Sequence, residues 1–398
     1  MKRQNSTIND ILKSECTGCC ACFSICPVRC IEMIEDNEGF QYPVIDEKKC
    51  VKCLKCKNIC PLFFNQRTIY PLHMYAAKNN DEEIRKNSSS GGVFSLFAEN
   101  TIKKEGIIFG ARFNGSWEVV HDCTETIEGL KEFYGSKYVA SIIGDTYKKT
   151  KEFLENDKDV LFSGTPCQIA GLKSFLQKDY NNLICIDFIC HGVPSPLVWR
   201  EYLKELITLN LSHKIHKINF RDKKTGWKNF STSFEFYDKE DNIYILSESH
   251  FENTYFTGFL CDIYLRPSCY NCPVKPLKSG ADITIGDYWG IENILPKYDD
   301  NMGVSIILIN TNNGLKYFEN LSLNYIETTN KDIDKISSLL RNTKRRLPEE
   351  RNKFFNYWYK KESVKRHIWK YSKNIKLKKN IRRNIVKILN VMKKYMHR

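Results

Sequence analysis

The 398-residue sequence contains no apolar run approaching the roughly 20 residues of a spanning helix, which excludes an integral helical membrane protein. Met1 to Glu15 shows no apolar h-region, so a secretory signal is not expected. The expected setting is cytoplasmic, peripheral to the inner membrane face at most. GxGxxG and GxxxxGK[ST] loops are missing, and with them the common dinucleotide and P-loop signatures. So are the GxSxG elbow and the HExxH helix, which leaves hydrolase readings without support. The histidines His121, His191 and His250 are scattered and follow no zinc spacing. Disorder is excluded as well, because 42% of the residues are apolar and 13% aromatic.

Positive charge is present but localised. The net charge is +14, yet Arg341 to Arg398 holds 21 Lys and Arg against 3 Asp and Glu, a net +18. The remainder carries −4, so basicity belongs to a tail and not to the fold. Cysteine is abundant, at 17 residues. Without an export signal a disulfide framework is improbable, and spacing must decide the role.

Cys16, Cys19, Cys22 and Cys26 read C-x2-C-x2-C-x3-C, followed by Pro27. Cys50, Cys53, Cys56 and Cys60 repeat the pattern 34 residues on, followed by Pro61. Three thiolates at this spacing can wrap one corner of an iron–sulfur cube, while the fourth, beside proline, reaches the other cluster in two-cluster ferredoxins. The expected sets are Cys16, Cys19, Cys22 and Cys60 for one [4Fe–4S] cluster and Cys50, Cys53, Cys56 and Cys26 for the second. Zinc sites usually use separated CxxC pairs, which explains the doubled run poorly. Cys20 and Cys30 fall outside the repeat and read as small buried fillers. Glu38 to Asp46 reads as a strand pair joining two short helical turns. Ser14 to Leu62 thus resembles a bacterial dicluster ferredoxin.

Farther on, Ser88-Ser89-Ser90-Gly91-Gly92 precedes a helical pattern running to Lys104, either a plain N-cap or a phosphate cradle. Gly106–Phe113 and Trp117–Asp122 read as strands. Lys137 stands isolated among small and aromatic residues. Asp159–Ser163 reads as a buried strand, Gly164-Thr165-Pro166-Cys167-Gln168 as a turn into a helix, and Leu183–Ile189 as a second buried strand ending at Cys190-His191-Gly192. If these strands are parallel, Cys167 and Cys190 share the sheet edge where open α/β sheets bind ligands. Cys269 and Cys272 add a CxxC. From spacing alone two readings stand: a third four-thiolate cluster, or core thiols plus a redox pair. Cys123, Cys185 and Cys261 sit in apolar surroundings and read as core. Ile215–Arg221, Phe230–Tyr237 and Asn242–Glu248 alternate as antiparallel strands, followed by a strand at Val304–Asn310 and a helix at Asn312–Leu321.

Taken in order, SSSGG (Ser88–Gly92), YGSKYV (Tyr134–Val139), SGTPCQ (Ser163–Gln168), CHGVPS (Cys190–Ser195), CYNCP (Cys269–Pro273) and ADITIGDYWG (Ala281–Gly290) resemble the coenzyme F-420 (deazaflavin) hydrogenase/dehydrogenase beta-subunit family. The resemblance implies an FAD-binding α/β core with a [4Fe–4S] cluster held by Cys167, Cys190, Cys269 and Cys272. It also implies that Ser89, Ser90, Gly91, Gly92, Ser136, Lys137, Gly164 and Thr165 face FAD. Members with the ferredoxin fusion are similar to reductases that take electrons from ferredoxin to a bulky substrate, and others to parts of surface-polysaccharide pathways.

The expected architecture is α+β / α/β: a dicluster ferredoxin over residues 1–70, a mixed α/β FAD-binding core over 71–335, and a basic helical tail over 336–398. The expected function is an iron–sulfur flavoprotein oxidoreductase, an enzyme passing electrons through two N-terminal clusters and a third to FAD and an unidentified substrate. His191 and Asp287 are the candidate proton donors. Ferredoxin or the reduced deazaflavin coenzyme would be the redox partner. The competing class is a non-catalytic subunit that hands electrons to a partner enzyme. In the tail, Leu377, Ile381, Ile385, Ile388, Leu389 and Met392 fall on one face of a basic helix, which suits its own domain or an anionic membrane surface. Nucleic acid is not expected, since stacking aromatics are few near its end and the body is acidic.

Overall fold

The computed structural model describes residues 8, 11–63, 68–210, 214–275, 277–329 and 347–396. The N-terminal unit is a two-stranded antiparallel hairpin, β1 (Ile31–Glu35) and β2 (Gln41–Ile45), with short helical turns at Ala21–Ile25 and Lys55–Asn58. The first strand thus lies earlier than the expected Glu38–Asp46 pair. Glu38 and Gly39 instead form the turn, where the Asp36 carboxylate accepts from the backbone N–H groups of Glu38 and Phe40.

The body is a mixed α/β fold around one eight-stranded sheet. Its strands are β3 (His73–Lys78), β4 (Ile107–Phe113), β5 (Val119–Thr124), β6 (Val160–Ser163), β7 (Leu183–Phe188), β11 (Ile283–Asp287), β12 (Ser305–Ile309) and β13 (Asn324–Glu327). The spatial order is β13-β3-β12-β11-β7-β6-β4-β5. The central β11-β7-β6-β4 run is parallel, and the flanking pairs are antiparallel. β6, the helix Pro166–Leu176 and β7 form the expected parallel unit.

Side chains alternate across this sheet because successive Cβ atoms point to opposite faces. Phe109, Phe162 and Cys185 pack with Leu172 and Phe175 on one face. Ile108, Leu161 and Ile184 pack with Val93 and Phe97 on the other. Both faces are covered, so the strands read as continuous apolar runs.

β8 (Lys214–Asp222), β9 (Ser231–Tyr237) and β10 (Ile243–Ser249) form a separate antiparallel sheet in the order β10-β9-β8. It packs with the helices Pro196–Leu209 and Thr254–Leu260 around Trp199, Tyr202, Phe234 and Tyr255. Phe354, Trp358, Val364 and Ile368 join the same core. The segment beyond residue 347 is therefore bound to the body at its start. Its Arg351 donates to the Leu265 carbonyl at 3.1 Å and to Glu38 of the N-terminal hairpin at 3.0 Å.

The last helix runs from Val364 to Met396, starting before the expected amphipathic stretch. Val364, Ile368 and Tyr371 on its first turns are buried, whereas Leu377 and Ile381 are exposed. The side chains of Ile385, Ile388, Leu389 and Met392 lie outside the described residues. Among the described residues no helix is long and apolar enough to cross a membrane.

Candidate functional site

The N-terminal duplication is visible in the backbone. Gly18 and Cys20 take left-handed conformations (φ 68° and 63°), and Lys52 and Leu54 repeat them 34 residues later (φ 55° and 58°). Such conformations cost a non-glycine residue roughly 1–2 kcal/mol. They also turn successive N–H groups inward, making the concavities that cradle anionic groups, iron–sulfur centres among them.

The structure brings the cysteines into two crossed sets. Cys22 is close enough to feel Cys16, Cys19 and Cys60, and Cys60 feels Cys16 and Cys19. Cys26, Cys50, Cys53 and Cys56 line one small cavity. Cys30 lines it too, with its sulfur 3.5 Å from that of Cys26, so it touches an expected ligand as well as filling space. Cys20 is buried in the core beside Ile143 and Tyr147.

Burial pushes the Cys60 thiol up to about 12, and Cys22 well above its ordinary value. Clustered thiols buried in this way stay protonated unless a cationic group reverses the balance, which a bound metal does. Among the described residues, no three His, Cys, Asp or Glu side chains converge on a single-ion site. Four thiolates on separate corners of an iron–sulfur cube need no such convergence.

A third set forms at the C-terminal edge of the parallel strands. Cys167 follows β6 at the start of its helix, and Cys190 follows β7. Cys269 sits in the 3-10 turn Pro267–Tyr270, with Cys272 just beyond. Burial pushes Cys167 up most, and the nearby Cys272, Cys190 and Cys269 add to it. The Thr165 hydroxyl lies 3.1 Å from the Cys167 sulfur, and the Val193 N–H donates to Cys269 at 3.5 Å. Burial pushes the Cys269 and Cys272 thiols up, and Lys275, which sequence reasoning passed over, partly offsets the rise; it is buried and donates to the His191 carbonyl.

The turn carrying Cys167 is braced. Thr165 and Gln168 form a capping box. Gln168 donates to Ser141 at 2.8 Å, and Ser141 lies 2.9 Å from His121, whose other ring nitrogen faces the Ser163 carbonyl. Burial depresses His121 to about 4, so it stays neutral.

Of the residues expected at FAD, Ser89 and Ser136 meet: the Ser136 N–H donates to the Ser89 hydroxyl at 2.7 Å. Ser90 donates to the Val304 carbonyl, and the Gly91 N–H to the Ser305 hydroxyl. Gly91 is wedged between β3 and β12, since a Cβ there would lie 2.5 Å from the Ala77 carbonyl. Gly92 precedes the helix Val93–Lys103 in the left-handed region. Gly164 and Thr165 lie beside the Gln168 network, with the Thr165 hydroxyl against the Cys167 sulfur.

Lys137 keeps partial exposure, yet its ammonium donates to the carbonyls of Glu132 and Tyr134, and desolvation pulls it down to about 7. Two further cations were not anticipated. Lys223 donates to the carbonyls of Ser90 and Met302 at 2.8 Å and is likewise pulled down by burial to about 7. Arg221 is 4% exposed, and its Nε has no partner. The Arg221 Nε is thus a buried donor left over, whereas the Ser90 hydroxyl, the Gly91 N–H and the Lys137 and Lys223 ammonium groups are already engaged within the protein.

The two proton-donor candidates fare differently. His191 holds Asp262 at 2.7 Å and packs on Phe259. Asp287 accepts two hydrogen bonds from Arg221, at 2.9 and 3.0 Å, and a third from Trp227 at 2.7 Å. A carboxylate so engaged is an acceptor only, and the geometry leaves Asp287 anchoring Arg221.

Residues 157–334 match the family described as the C terminus of the coenzyme F420 hydrogenase/dehydrogenase beta subunit, which bears out the motif resemblance. Among solved structures, the chain is similar to one in the F420-reducing [NiFe] hydrogenase complex from Methanosarcina barkeri, studied by xenon derivatization. The identity is 16% over 69% of this chain and 88% of that chain, with a TM-score of 0.44. No curated protein matches the chain.

Proposed function

We propose, on the match of residues 157–334 to the C terminus of the coenzyme F420 hydrogenase/dehydrogenase beta subunit, that the chain is an iron–sulfur flavoprotein oxidoreductase. The observation that carries this reading is the succession of three four-cysteine sets. The set of Cys26, Cys50, Cys53 and Cys56 faces solvent through Cys53. The set of Cys16, Cys19, Cys22 and Cys60 lies next, against the helix Pro166–Leu176, whose first turn carries Cys167 of the third set.

Gly171, one turn into that helix, permits the contact: a Cβ there would stand 2.9 Å from the Cys19 Cβ. Tyr147 fills the remaining space, donating to the Gln168 carbonyl at 2.7 Å and lying near both Cys19 and Cys167.

In this reading residues 1–70 are the electron-entry module, 71–335 the catalytic core and 336–398 the tail. The clusters would supply one-electron carriage and FAD the exchange between one- and two-electron chemistry. Arg221, through its unpartnered Nε, is the donor offered to the flavin diphosphate, with Lys137 and Lys223 bracing the loops beside it and Ser89 and Ser136 shaping them. The Gln168–Ser141–His121 network holds the Cys167 turn rigid. His191, oriented by Asp262, is the side chain placed to hold or release a proton near the third set.

Iron, acid-labile sulfide and flavin per chain on anaerobically purified protein test the reading. About twelve irons and one FAD are expected, four per cluster. About eight irons and no flavin would overturn the flavoenzyme and leave a carrier of electrons to a partner.

A further inference from the structure

We infer that Arg266 sets the reduction potential of the centre held by Cys16, Cys19, Cys22 and Cys60, and does so from a position fastened to the third cysteine set. The inference rests on the iron–sulfur reading above. Arg266 is 4% exposed. Its Nε donates to the Cys16 carbonyl at 2.9 Å, and a terminal nitrogen donates to the Gln41 carbonyl at 2.9 Å and stands 3.9 Å from the Cys16 sulfur. The guanidinium lies 4.3 Å from the Tyr42 ring centre. Gly18 makes room for it, since a Cβ there would come within 2.7 Å. The main chain of Arg266 belongs to the other side: its N–H donates to the Val193 carbonyl at 3.0 Å, and its carbonyl accepts from the Cys269 N–H at 2.9 Å.

The charge on this guanidinium is not neutralised by a carboxylate. Among the described residues Arg266 makes no ion pair, and three acids of the adjoining hairpin are engaged elsewhere, Glu35 by Arg200, Asp36 by Lys13 and Glu38 by Arg351. A buried cation without a counter-charge is costly. Four thiolates bound to iron supply one, because a cube with four thiolate ligands carries net negative charge. The relation is reciprocal: a fixed cation favours the more reduced, more negative centre and raises its potential. The lysines of the outer set, Lys52 and Lys55, are exposed, so solvent and salt screen them far more than Arg266. The cation thus biases electrons inward, from the outer set towards the core.

The test is a potentiometric titration followed by electron paramagnetic resonance on the full, anaerobically purified chain, with iron and sulfide assayed in parallel. Arg266→Gln is expected to keep its iron and to shift one midpoint negative while the others stay. Arg266→Lys, which keeps the charge and loses hydrogen bonds, is expected to shift the same midpoint by less. If the glutamine variant loses iron, the lysine variant carries the test. Full iron with every midpoint at the wild-type value in both variants would overturn the inference alone, as would equal loss of iron from both, which marks a purely structural residue. A wild-type chain without iron would overturn the iron–sulfur reading and this inference with it.

Discussion

The two halves of the N-terminal duplication share spacing, trailing proline and backbone conformation, yet they live in different surroundings. In the first half Cys19, Cys20 and Cys22 are buried, with Cys19 against Gly171 of the body. In the second, Val51, Lys52, Cys53, Leu54 and Lys55 are all exposed. One motif therefore serves as an inner and an outer site. The difference comes from what docks on each half, since the cysteine spacing is the same. Hydration and neighbouring charge tune a cluster as much as its ligands do.

That contrast can be broken most forcefully at the ligands. Cys19→Ser should remove the inner centre and loosen the seat on the helix Pro166–Leu176, with both iron content and thermal midpoint falling. Cys53→Ser should lower iron content alone. Equal thermal losses would erase the distinction between the halves. A smaller effect is expected of Gly171→Val, which forces side-chain atoms against Cys19. Chemical denaturation should show a loss of roughly 1–3 kcal/mol, the usual range for overpacking.

Lys137 sharpens the comparison from the far end of the site. Its folded value of about 7 lies below the ordinary lysine value of 10.5. Between those two values the unfolded chain binds more protons, so stability contributed by this group rises with pH across that window and is lost as pH falls through 7. Lys137→Met should remove that rise, read as the difference between the two denaturation-versus-pH curves. If the curves run parallel, the ammonium is not desolvated. Smallest of all, Val51→Asp on the outer half should change stability by no more than about 0.5 kcal/mol, as an exposed substitution does.

Much of the scaffold was legible because its signals are local. The β6–helix–β7 unit carries its own apolar runs, its proline at the first turn and its capping residues. The parallel register then places Cys167 and Cys190 on one edge. β3 escaped notice because its partner β12 lies more than 200 residues away. Arg221, Arg266 and Lys275 were not legible for the same reason. Nothing near them in sequence distinguishes them from solvated surface charge, and only long-range packing buries them. Asp287 sits in a conspicuous motif, but its commitment to Arg221 and Trp227 arises from β8 and the loop after it. The tail reads as an amphipathic basic helix whose attachment stays open, because the buried positions that anchor it, Val364 and Ile368, precede the face that begins at Leu377.

The bond from Arg351 to Glu38 spans 313 residues. During synthesis the N-terminal hairpin leaves the ribosome long before its clasp exists, and the two cannot join until nearly the whole chain has emerged. Arg266 arrives earlier, but still well after both cysteine runs. The N-terminal unit thus passes through an interval in which it is made but not yet fastened, and its thiols stand open before the body closes over the inner half.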